Sequence, residues 1–438
     1  MLRVSPKIQF ILISLSLCLL AILFYPNFDS EILFPDSSSY IGHDANRGLV
    51  YPYFLDLVGP ALKTGQPYTS MDFHRVSWAQ WVLVLISALL FFLVLLRMCR
   101  SGWPSLLFIF LFVSHKLIFP NASMVGNITS HTSFILTEGL VPTWVFLITA
   151  LLLSFYRTPS AMTALILGLM LFLGIELTPR FMFLSVLCLF PILYELLRSS
   201  FNKKSLLPLL VFLVLYLAKC TWTYIHHEVF SSVPFDGITL IGPAIQFSNE
   251  EDIVRFTNTE EKLFVTAIIR DSRRREAFLY SPSEECTPVW NDPFIIRNQY
   301  VIALSNYKKL VDSSDTQNMN LFLSRVAKKL LLGSLQNVKR WLHLFFSSVW
   351  FLFTNNAFFT LIHLLLFVFL SYHCLYIRSD SPFYWTAFSL LTAHLTHTLG
   401  VVLISYPERR YLSSSEMFVP FVILFVYLEY KKKKTVNA

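Results

Sequence analysis

Ten stretches of this chain, near 8–25, 78–98, 103–120, 134–156, 160–177, 180–198, 205–225, 356–377, 382–404 and 413–430, are apolar. Each approaches the ~20 residues of helix that cross about 30 Å of hydrocarbon. Backbone amides in lipid must be satisfied within their own segment, which leaves the helix as the spanning element for runs of this length. Composition points the same way, with 55% hydrophobic and 14% charged residues and 42 Phe. A soluble domain is about 25% charged. The predicted fold class is an all-α polytopic membrane protein of about ten transmembrane helices.

The basic residues sit largely at the ends of these runs. An N-terminus on the cytoplasmic side places Arg97, Arg100, Arg157, Arg198, Lys203, Lys204, Arg378 and Lys431 to Lys434 on that side as well, as the positive-inside rule requires. The net charge of +8 therefore reads as orientation within lipid and gives no reason to expect a nucleic-acid partner. Run 8–25 follows Arg3 and Lys7 as a signal peptide would, but Pro26, Asn27, Phe28 and Asp29 provide no small-x-small cleavage site, so it reads as a retained first helix. Both termini are expected in the cytoplasm of a bacterial inner membrane.

Two long connections fall on the outer, periplasmic face by this count, and they divide the chain. Residues 1–225 form an N-terminal module of seven helices that carries the first outer loop, 26–77. That loop mixes aromatic, Pro and polar residues and is expected to fold as short helices on the membrane surface. Residues 226–355 form an outer loop domain, water-facing by its charge clusters such as Arg273, Arg274, Arg275 and Glu276, with an interfacial amphipathic helix over about 318–350. Residues 356–438 form a C-terminal module of three helices. The six cysteines, at 18, 99, 188, 220, 286 and 374, have no metal-ligand spacing. His394 and His397 lie one turn apart, and His226 and His227 are adjacent, but neither pair has a third ligand nearby in sequence.

The most informative segment is Phe34-Pro-Asp-Ser-Ser-Ser-Tyr40, followed by Asn46-Arg-Gly-Leu-Val-Tyr-Pro-Tyr-Phe-Leu55. An Asp soon after the first membrane helix, then a Tyr, then an Arg before Tyr-Pro, resembles the first outer loop of the GT-C superfamily of lipid-dependent glycosyltransferases. Protein O-mannosyltransferases and the aminoarabinose transferases acting on lipid A belong to that superfamily. The resemblance implies that Asp36 is catalytic. A carboxylate is suited to the role because a hydroxyl attacking an anomeric carbon must give up its proton as the bond forms. Asp36 also suits a helix N-cap, and the two roles are compatible. Ser37 stands where the mannosyltransferases place a second carboxylate, so a divalent-metal cofactor is left open and no metal ligand is assigned. Asp44, Asp56 and Asp72 read as solvated carboxylates of the same loop.

A second segment, Tyr406-Pro-Glu-Arg-Arg-Tyr-Leu412, resembles the late Arg-Tyr stretch that many GT-C-like bacterial membrane proteins carry before the last helix. Paired Arg on the outer side oppose the positive-inside trend, and Arg meets phosphate oxygens with two donors at once. Arg409 and Arg410 are therefore the expected donor-phosphate ligands, with Arg180, Arg47 and Lys116 in support. A headgroup contact, an ion pair of Arg409 or Arg410 with Glu408 or Glu416, a pair of Arg180 with Glu176, or snorkelling of Lys116 would account for the same charges. Tyr40, Tyr51 and Tyr411 are expected to shape the wall where sugar or acceptor stacks. Glu138, at the outer end of the fourth helix, resembles an acid that many of these enzymes carry there, and it equally suits a helix first turn.

The resemblance implies an integral-membrane glycosyltransferase that moves a sugar from a polyprenyl-phosphate donor to a glycan, lipid or protein acceptor on the outer face, in a GT-C-like fold. Bacterial surface-polysaccharide or O-antigen modification fits the size. An O-antigen polymerase, with its chemistry in the large loop, a lipid-linked saccharide flippase or other transporter, and a noncatalytic assembly partner in which Asp36 can be replaced without loss are the alternatives. A transporter would place charges near the middle of helices with Gly or Pro breaks, whereas here they gather at the ends and Gly numbers 13.

Overall fold

A computed structural model describes residues 5–26, 41, 48–59, 70–118, 139–198, 202–227, 230–232, 236–275, 297–311, 316–355, 357–404 and 415–437. The elements among these residues are helical, with no strand. Four helices, Pro6–Leu23, Phe73–Cys99, Lys203–His226 and Pro382–Leu403, are long and apolar enough to cross a membrane, and shorter apolar helices lie between them.

Helix α1 (Pro6–Leu23) starts where sequence rules place it, with the Ser5 hydroxyl accepting from the Ile8 amide at 3.4 Å and Pro6 in the first turn. It packs on α3 (Ser70–Cys99) and α4 (Trp103–Ile118). A short helix, α2 (Val50–Val58), lies against α3 and against α6 (Ala161–Leu177), while α5 (Val141–Arg157) packs between α3 and α6. The Phe content has a visible use at the meeting of four helices. Phe421, from α16 (Phe418–Asn437), sits 4.5 Å from Phe108, 5.0 Å from Phe91 and 5.5 Å from Phe146, ring centre to ring centre. Such contacts each add about 0.5–1.5 kcal/mol beyond the area they bury.

The run at 180–198 is not one regular helix. Pro179 lacks an amide hydrogen and pushes Thr178 into extended backbone, so α6 ends there and a 3-10 helix, Pro179–Cys188, precedes α7 (Phe190–Leu197). Small residues set the closest contacts. A Cβ on Gly168 would fall 2.6 Å from the Pro208 carbonyl oxygen and 2.9 Å from the Val211 Cβ, both on α8 (Leu207–His227). Gly168→Val is therefore expected to force α6 from α8 and to cost about 1–3 kcal/mol, the usual price of overpacking a tight core. Thermal inactivation in detergent measures it, and an unchanged midpoint would contradict this packing.

The basic residues gather at one end of the bundle. Arg157 donates to the Arg97 carbonyl at 3.0 Å, Gln9 to the Arg100 carbonyl at 3.2 Å, and Arg198 pairs with Asp380 at 2.9 Å. Lys431 lies over the Trp103 ring and Lys433 over Tyr384. The most deeply packed of the long helices, α15 (Pro382–Ile404), runs from this basic end to the opposite one beside α5, α16 and α14 (Ala357–Ser371).

At the opposite end a second apolar core forms from α9 (Asp236–Phe247), α10 (Thr259–Arg274), a π-helical turn (Arg297–Leu304), α11 (Ser305–Val311) and α12 (Thr316–Leu332). Gly237 permits α9 to cross α12 closely, since a Cβ there would meet the Asn320 carbonyl oxygen at 2.0 Å, and Asn320 accepts the Ile238 amide at 3.1 Å. The amphipathic helix expected over about 318–350 is two helices, broken at Gly333 and Ser334. The first, α12, buries Phe322, Leu323, Val326 and Leu330 in this core. The second, α13 (Leu335–Asn355), is tied back by Asn337, which donates to the Leu330 carbonyl at 2.7 Å, and exposes Leu342, Phe346 and Trp350. Val401 of α15 enters the same core, and Trp341 donates to the Leu403 carbonyl at 3.2 Å.

Candidate functional site

The described part of the first outer loop is clamped on both sides. The Leu49 amide donates to Glu176 Oε2 at 3.0 Å at the end of α6, and the Tyr51 hydroxyl donates to Gln80 Oε1 at 3.3 Å on α3. Two glycines make the clamps possible. A Cβ on Gly48 would lie 2.0 Å from the Glu176 carbonyl oxygen, and one on Gly139 would lie 1.9 Å from Gln80 Oε1. The chain entering α2, the chain entering α5 and the end of α6 therefore meet at one place, opposite the basic end.

A second set of contacts extends this place across the bundle. Phe181, just beyond the Pro179 break, packs its ring 4.7 Å from Trp144 and 6.1 Å from His397. A turn earlier on α15, His394 Nδ1 is 2.9 Å from the Ser415 hydroxyl, and its ring lies 5.3 Å from that of His363 on α14. His394 and His397 are both buried, as is His115 near the same end of α4. Among the described residues, no three His, Cys, Asp or Glu are grouped so as to hold a metal ion.

Asp36, Tyr40, Arg47, Glu138, Arg409, Arg410 and Tyr411 lie outside the described residues. Lys116 falls in α4 and Arg180 in the 3-10 helix, with their side chains outside the description. Their described chain neighbours come together. Gly48 follows Arg47, Gly139 follows Glu138, Phe181 follows Arg180, His115 precedes Lys116, and Ser415 lies four residues after Tyr411. The contacts above link Gly48 and Gly139 through Glu176, Leu49, Tyr51 and Gln80, and bring Phe181 and Ser415 to His397 and His394 of α15.

Tyr51 differs from expectation. It is fully buried, with its ring stacked on Phe54 and its hydroxyl donating to Gln80, so it anchors α2. Gln80 was legible only as a lone amide inside the apolar run Ser77-Trp-Ala-Gln-Trp81, the kind of intramembrane polar residue that marks a packed interior or a site. His363 carries no comparable signal, because nothing in sequence links it to His394. His226 lies exposed against Trp222, ring centres 4.8 Å apart, away from these residues in the chain. Comparison with family models, with curated proteins and with solved structures gives no match.

Proposed function

We propose that the chain is an integral-membrane glycosyltransferase of GT-C type, with about ten spans, that moves a sugar from a polyprenyl phosphate to a glycan, lipid or protein acceptor on the outer face of a bacterial inner membrane. The observation that carries the reading is the gathering, at the end of the bundle away from the basic residues, of the described neighbours of Arg47, Glu138, Arg180 and Tyr411. Two of those stretches, the one with Arg409 and Arg410 and the one with Arg180, were singled out from sequence for positive charge on the side where it is disfavoured. The gathered basic residues of the other end support a cytoplasmic placement of both termini.

In this reading Asp36 accepts the proton of the acceptor hydroxyl as its oxygen bonds to the anomeric carbon. The bond from that carbon to the phosphate oxygen breaks, and the polyprenyl phosphate leaves with the electron pair. Arg409 and Arg410, with Arg180, Arg47 and Lys116, meet the charge that grows on the phosphate. Tyr40 and Tyr411 flank the sugar, and Glu138 lies at its edge. The test is vesicles containing the purified protein, polyprenyl phosphates bearing labelled sugars, and surface glycans. Label moving onto the glycan is the expected result, whereas carrier that crosses the bilayer with its sugar retained would replace this reading with a flippase.

A further inference from the structure

Helix α13 (Leu335–Asn355) is inverted relative to a helix on a water-facing surface. Its buried residues include Asn337, Leu344 and Ser348, whereas Leu335, Leu342, Phe346 and Trp350 are 71%, 41%, 63% and 70% exposed. Spacings of seven, four and four residues put these four on one face of the helix. Contiguous apolar surface of this kind marks a contact with protein or membrane. Lys339, Arg340 and His343 lie on the same helix, and it carries no acid.

Two contacts with α15 fix how α13 runs. Trp341 donates to the Leu403 carbonyl, and the ring of His363 on α14 lies against that of His394. At a rise of about 1.5 Å per residue, positions 394 and 403 are about 14 Å apart along α15, while positions 341 and 363 would be about 33 Å apart on one straight helix. Helix α13 therefore does not continue the line of α14. It crosses the end of the bundle away from the basic residues, at the level where α15 ends. Its 21 residues are enough to span hydrocarbon by length, yet it is not among the four helices apolar enough to do so.

We propose that α13 lies in the plane of the membrane, at the boundary between the headgroups and acyl chains of the outer leaflet, with Leu335, Leu342, Phe346 and Trp350 turned into lipid. The helix then seats the second apolar core on the membrane surface. Leu344 belongs to that core, and Asn337 holds the Leu330 carbonyl of α12. Anionic lipid is the occupant that the charges favour, because basic residues beside an apolar face meet headgroup phosphates while the apolar side chains sink about 5–10 Å. A second copy of the chain fits less well, since a two-fold contact through this face would bring basic residues against basic residues with no acid on either helix. The placement does not depend on the glycosyltransferase reading.

The experiment uses the purified full-length protein in vesicles of phosphatidylglycerol and phosphatidylethanolamine. The acyl chains carry bromine, which quenches indole emission on contact, either high on the chain or near its end. The emission of Trp350 is read as the difference between wild type and Trp350→Phe, a change that keeps an aromatic ring. Phe346→Trp gives a second reading by adding an indole on the same face. Both indoles should lose most of their emission to bromine high on the chain and less to bromine near its end. Indoles that neither lipid quenches would overturn the proposal and assign the face to water, a second copy or another protein. Quenching that is strongest near the chain end would overturn it as well, because α13 would then cross the bilayer.

Discussion

Asp36→Asn should lower the turnover of sugar transfer about a thousandfold with little change in the donor KM, within the ~10²–10⁴ range of a general base. Asparagine has nearly the same shape and can still cap a helix, so an N-cap role would be retained while the proton acceptor is lost. The measurement is turnover in membranes carrying matched amounts of the two proteins. Equal rates would take Asp36 out of the chemistry and move attention to the large loop, where an O-antigen polymerase would keep its reacting groups.

Gly48→Val is expected to have the second largest effect, and for a different reason. A Cβ at residue 48 would meet the carbonyl oxygen, carbonyl carbon and Cα of Glu176 at 2.0, 2.5 and 2.8 Å, all backbone atoms that cannot rotate aside. The loop must move, and the Leu49 to Glu176 hydrogen bond goes with it. The Phe91, Phe108, Phe146 and Phe421 cluster of the bundle core lies on α3, α4, α5 and α16, away from the Gly48 segment in sequence. Abundance and thermal stability should therefore fall modestly while transfer falls about a hundredfold, as expected when reacting groups shift by about 1 Å. Loss of stability in step with activity would instead make the clamp a general fold determinant.

The helical framework was legible because its signal is long and uniform. Among the described residues each of the ten apolar runs holds helical structure, and Arg97, Arg100, Arg157 and Arg198 lie near one end of the bundle. The breaks were harder to see, because one residue decides them. Pro179 divides a run whose hydropathy is continuous, and Gly333 with Ser334 divides a stretch whose apolar and basic spacing reads as one helix. That α12 turns its apolar face to a protein core was not legible, because an amphipathic face looks the same whether it meets lipid or a protein core. Only the partner face on α9 and α10 distinguishes the two, and that is a tertiary fact.

Within the site, charge was the legible part and geometry was not. Arg180, Arg409 and Arg410 stand out as cations on the disfavoured side, and Glu176 as the neighbour of Arg180. That Glu176 would hold the Leu49 amide depends on Gly48 passing over its backbone, a contact between residues 128 apart in sequence. That the Tyr51 hydroxyl would reach Gln80 on another helix was not legible, because no sequence signal links the two. His363 and His394 likewise meet only because α14 and α15 are neighbours.

The most direct measurement is the fate of a labelled sugar supplied on a polyprenyl phosphate to the purified wild-type protein in vesicles, with the anomeric configuration of any product read by NMR. Label joined to the acceptor with its anomeric centre inverted is the expected result, since one displacement assisted by Asp36 allows no other. Label that stays on its carrier, or a product with retained configuration, would contradict a single-displacement glycosyl transfer at this end of the bundle.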